Sequence, residues 1–127
     1  MSENNIIDNL ENGAVEISED VIATIAGIEA SQIEGVASLS GSMAGEMIEM
    51  LGVKNKGKGV EVNIEDRNVY VSMHLNVLYG VNITEIGKKT QIRVKEAIEN
   101  MTALNVQEIN VFIAGVVVNK KKKESAE

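Results

Sequence analysis

Hydrophobic and polar positions alternate with a period of two from Val69 to Val77: Val69, Val71, Met73, Leu75 and Val77 fall on one side, Tyr70, Ser72, His74 and Asn76 on the other. A period of two marks a strand with one buried face. A second strand at about 60–65 precedes it, and the intervening "EDRN" reads as a hairpin loop in which Asn68 takes the left-handed conformation. Val21, Ile22, Ile25 and Ile28 instead recur at helical spacing. They predict a first helix that starts at the N-cap Ser18, has Glu19 and Asp20 in its first turn, and runs to about Ile33. Gly35 ends it, with "AVEI" (Ala14 to Ile17) before and "VASLS" (Val36 to Ser40) after as short strands.

The second helix carries the clearest pattern. Asn82 and Glu85 form an N-cap and its partner, and Ile83, Ile86, Thr90, Val94, Ala97, Ile98, Met101 and Leu104 trace one face. Gly87 lies at the edge of that face, where close packing of another backbone is the expected reason for a glycine in a helix. A last strand, "VQEINVFIAGVVV", follows. The order is β-α-β-hairpin-α-β, which predicts an α+β fold: a single sheet of about five strands, antiparallel or mixed, with two helices on its apolar face. Residues 1–12 are polar and unpatterned and read as a mobile N-terminal tail, residues 13–118 as one domain, and residues 119–127 as a charged C-terminal tail.

The segment "SMAGEMIEML" (Ser42 to Leu51) supports two readings. Met43, Met47, Met50 and Leu51 repeat at i, i+4, i+7 and i+8, one face of a short helix. Flexible, polarisable methionines suit either a lid over the end of the sheet or an adaptable partner-docking segment. Two other surfaces invite contact. On the first helix, Ala23, Thr24, Gly27, Ala30 and Ser31 are all small and could meet another backbone, in a second copy or in the protein's own loops. On the second, Ile92 interrupts a face of mixed charge as a lone exposed apolar residue or an interface residue.

Composition narrows the chemistry. A chain of 127 residues fits one domain. Without cysteine it has no disulfide or thiolate metal site, which suits a reducing cytosol. No run approaches the ~18 apolar residues of a membrane helix, and the start resembles no signal peptide, so a cytoplasmic protein without direct membrane insertion is expected. A formal net charge of -7 opposes nucleic-acid binding, and an aromatic content of 2% leaves little to stack bases. The lysines at 120–123 adjoin acids and are too few to anchor the chain on a membrane.

Candidate sites are correspondingly poor. "GVKNKGKG" (Gly52 to Gly59) has the glycine and lysine spacing of a phosphate loop, but no Ser or Thr follows Lys58, and a strand follows where a helix should open. His74, the only histidine, has Ser72 and Asn76 as its same-face neighbours and no acid, so it reads as a solvated strand residue rather than a base or ligand. Glu46 with Glu49, and Glu65 with Asp66, lack the apolar pocket that a catalytic carboxylate pair needs. No catalytic residue, metal or cofactor is expected.

Taken in order, "GAVEISEDVIATIAGIEASQIEGVASLSG" (Gly13 to Gly41), "YGVNI" and "VKEAIENMTALNVQEINVFIAGV" closely resemble the alkaline-shock, Gls-type general stress proteins of Gram-positive bacteria. The resemblance covers roughly residues 13 to 118. It implies an abundant, non-enzymatic cytosolic protein of the envelope or alkaline stress response, held at the membrane through a protein partner such as a small membrane protein. It also admits a regulator of lipid synthesis that binds an acyl-carrier enzyme or its product. The first reading expects a scaffold that acts by assembly, as a homo-oligomer, and by partner contact; the second expects a defined pocket.

Overall fold

A computed structural model describes residues 4–10, 13–39 and 59–118, with strands β1 (Asn4–Leu10), β2 (Gly13–Ser18), β3 (Val36–Leu39), β4 (Val60–Glu65), β5 (Asn68–Leu78) and β6 (Asn105–Val117), and helices α1 (Glu19–Ser31) and α2 (Ile83–Thr102). The α+β expectation holds. The sheet differs in detail from the single five-stranded one expected: β3, β4, β5 and β6 form one sheet, and β2 pairs with β1 in a separate two-stranded one. The strand at 14–17 therefore stands outside the main sheet. Its partner is residues 4–10, where the sequence has no alternation to announce a strand; antiparallel backbone pairing organises it.

β5 organises the main sheet. β6 runs parallel along one edge of it, while β3 and β4 run antiparallel along the other. Because β3 pairs with Leu75–Val77 and β4 with Asn68–Met73, the two lie end to end as one interrupted strand. Gly59 continues the ladder, its C=O accepting from His74 N–H at 2.8 Å. Residues 40–58, with Met43, Met47, Met50, Leu51 and the glycine- and lysine-rich stretch, lie outside the described residues.

The inward face of β5 is fully buried, Val69, Val71, Met73, Leu75 and Val77 each at 0% exposure. Ile22, Ala26 and Ala30 of α1 and Val94 and Ile98 of α2 join that core. Burying each large aliphatic side chain stabilises the fold by roughly 1.5–3 kcal/mol before chain entropy is counted. The buried stripe of α2 runs at intervals of four, through Ile86, Thr90, Val94, Ile98 and Thr102, and Ile83 and Met101 fall beside it and are exposed.

Local chemistry explains the boundaries. Ser18 Oγ accepts from Val21 N–H at 3.4 Å and Asn82 Oδ1 from Glu85 N–H at 3.0 Å, so both predicted N-caps form. α2 ends on Ala103 in the left-handed region at φ 67°. In the hairpin the left-handed residue is Asp66, φ 59°, and not Asn68, which already pairs with Glu65. Gly35 is required by its φ of 104°, and a Cβ there would also press on Ile86 Cδ1 at 2.7 Å, which would have to shift. At Gly87 a Cβ would meet nothing within 4 Å, so the expected close packing is absent.

Candidate interaction surfaces

The small face of α1 is consumed by the fold. Ala23, Gly27 and Ala30 are buried, and α1 packs against α2, so Ala23 and Gly27 are no free surface. Small side chains let α1 approach its neighbours closely, and it packs on β4 and β3 as well as on α2; periodicity could not say which of them a given face would meet. Arg93 bridges the pair at the rim, donating from Nε to Glu29 Oε1 at 2.8 Å and from an Nη to Gln32 Oε1 at 2.9 Å.

Ile92 is exposed, as expected. Beside it a groove of about 760 Å³ opens between the end of α1 and α2, lined by Glu29, Ile33, Glu34, Lys89 and Glu96 among others. Both charge signs line it, and Ile33, Ile92 and Ala97 are its apolar lining.

His74 is half-buried rather than fully solvated. Parallel pairing sets it opposite Phe112, and the rings stack with centroids 5.0 Å apart and planes 21° apart. The pair lies on the face of the sheet away from the helices, with Tyr70, Ser72 and Asn76 half-buried around it. Among the described residues no cluster of three or more His, Cys, Asp or Glu is placed to hold a metal.

β6 is the surface that periodicity did not single out. Its outer edge is closed over the first part only. Gln91 Nε2 donates to Ile109 C=O at 3.0 Å, Lys95 Nζ to Val106 C=O at 3.4 Å, and Val106 N–H donates to Glu99 Oε2 at 2.9 Å. Those three α2 side chains, spaced i, i+4 and i+8, stand in for a missing strand. Glu99 is held below the ordinary carboxylate range, first by that Val106 N–H and then by Lys95, whose ammonium is 3.1 Å away, against a smaller opposing effect of burial.

Beyond Ile109 the described residues offer the edge no partner. The chain there carries no charge from Asn110 to Val118, and Phe112, Val116, Val117 and Val118 are 50%, 50%, 41% and 60% exposed. A long, apolar, uncovered edge is what soluble proteins ordinarily avoid by charges, proline or a cover. The sequence signal was present in "NVFIAGVVV", but only the position of β6 outside β5 makes that run an edge.

No solved structure matches the chain. It is 38% identical over 112 residues to "Uncharacterized protein YqhY" of Bacillus subtilis (strain 168), covering 88% of this chain and 83% of that one. It is 34% identical to "Uncharacterized protein Spy1614" of Streptococcus pyogenes serotype M6, over 87% of this chain and 93% of the relative. To "Uncharacterized protein YloU" of B. subtilis it is 32% identical, over 84% and 90%. A model of the alkaline-shock, Gls-type family, described by its "cell envelope-related function", matches residues 8–118. That match spans every described strand and helix apart from the first residues of β1, and on it the chain belongs to the alkaline-shock protein family.

Proposed function

We propose that the chain is a non-enzymatic binding and scaffold module of the envelope stress response, acting in the cytoplasm at the membrane through self-association and contact with a membrane-protein partner. One combination carries the reading: the family is described as cell envelope-related, yet no helix among the described residues is long and apolar enough to cross a membrane. A chain of this kind reaches the envelope most simply through contact surfaces, and the exposed apolar side chains of β6 are of the type that protein interfaces cover. A regulator of lipid synthesis is the weaker reading. An acyl chain needs a predominantly apolar slot, and the groove beside Ile92 mixes Ile33, Ile92 and Ala97 with the charges of Glu29, Glu34, Lys89, Arg93 and Glu96.

Capture of the tagged full chain from its native host, with the membrane fraction solubilised or removed beforehand, tests the proposal. A membrane protein recovered only when membranes are included is the expected result. Recovery of acyl-carrier enzymes alone, or of nothing above an untagged control, overturns it.

A further inference from the structure

The open end of β6 is self-complementary. The Gln91 bond to Ile109 C=O shows that the backbone groups of Ile109 point off the sheet, and the Tyr79 bond to Val117 C=O at 2.8 Å shows that those of Val117 point toward β5. Between them the register slips by one residue, Leu75 facing Ile113 but Asn76 facing Gly115. Alternation on either side of that bulge leaves the N–H and C=O of Val111, Ile113, Val116 and Val118 pointing off the open edge. These four positions are symmetric about the Ala114–Gly115 bond.

We propose that β6 of one chain pairs antiparallel, edge to edge, with β6 of a second copy about a two-fold axis at that bond. This rests on the self-association proposed above and assigns it a surface. In this register Val111 faces Val118 and Ile113 faces Val116, and both are the closely bonded kind of antiparallel pair. Phe112 faces Val117 on the side of the sheet away from the helices. A two-fold axis makes every pair occur twice, as an isologous interface requires. The α2 side chains that close the edge end at Ile109, just before the self-matching run begins. A generic extended peptide would use the same backbone groups, but it would not account for outward groups that match about one bond of the strand itself, apolar residue facing apolar residue.

Sedimentation velocity across a concentration series, with Val116→Pro beside the parent, tests this. The substitution removes a donor on the outer edge and leaves the bonds to β5 in place, so the circular dichroism spectrum and urea midpoint should stay near the parent's. The parent is expected to dimerise and Val116→Pro to halve in mass. A second pair of variants keeps the test independent of that fold. Phe112→Lys/Val117→Lys and Phe112→Glu/Val117→Glu chains should each be monomeric alone and form a heterodimer when mixed. A parent that stays monomeric at every concentration sinks this proposal and the self-association reading together. A folded Val116→Pro that remains dimeric, with charge variants that still self-associate, sinks the β6 interface alone and moves self-association to another surface.

Discussion

Gly87 and Ile98 lie on the same helix and fall to opposite sides of the energetic question. Nothing stands within 4 Å of a Cβ added at Gly87, and the residue is inside the helix. Gly87→Ala should therefore stabilise the protein by up to about 1 kcal/mol, read as a higher urea midpoint at unchanged slope. Ile98 is at 0% exposure in the core that also holds Ile22, Leu75 and Val94. Ile98→Ala should cost about 2–4 kcal/mol, and a loss under about 0.5 kcal/mol would contradict its place in the core. Glu99 supplies the pH dependence. A carboxylate whose folded pKa is lowered adds stability that is present above its unfolded pKa and is lost as pH falls through the folded value. Glu99→Gln should consequently lower the thermal midpoint near neutral pH and narrow the fall between neutral pH and about pH 3. Equal destabilisation of the variant at both pH values would show that the charge is not what matters.

Among the elements, the interrupted strand β3–β4 carries a consequence for the segment between its halves. Leu39 faces Leu75, Gly59 bonds to His74, and Val60 faces Met73, so the ends of residues 40–58 stand one strand step apart. Joining Leu39 directly to Gly59 would give one continuous strand whose buried positions keep their alternation, Leu39 and Val60 both inward. A chain with residues 40–58 deleted in this way should remain folded, with a single cooperative urea transition and helical circular dichroism. Loss of cooperativity would mean that the deleted residues contribute to the core. If the deletion folds, partner capture with it decides directly whether the methionines at 43, 47 and 50 dock a partner.

At the scale of the whole molecule, association must overcome like charge. Each chain carries a formal net charge of -7, while the proposed contact strand is uncharged from Asn110 to Val118. Salt screens the long-range repulsion within a Debye length of about 8 Å at physiological ionic strength and leaves apolar strand pairing largely intact. Self-association should strengthen as sodium chloride rises from about 20 to about 300 mM, a range set by that screening length. Weakening over the same range would point to an interface built on ion pairs instead, such as the charged rim around Glu29, Arg93 and Glu96.

The sequence by itself determined the local periods: the buried alternation of β5, the N-caps at Ser18 and Asn82, the long amphipathic α2 and the α+β class all follow from spacings within a few residues. It also carried a resemblance to the family that the match over residues 8–118 bears out. What it did not determine is which element each face meets. The small side chains of α1 looked suited both to a second copy and to the protein's own chain, and only the packing of α1 within the fold buries Ala23 and Gly27. Met101 shared the α2 stripe by spacing, yet the packed face takes Thr102 from that turn and leaves Met101 67% exposed. "NVFIAGVVV" reads only as part of a last strand, and parallel pairing on the outside of β5 makes it an edge. Period and capping are set by bonds and sterics along a few residues, and so are written in the chain. Burial and edge position depend on contacts between residues far apart in sequence, which only the assembled sheet and helices create.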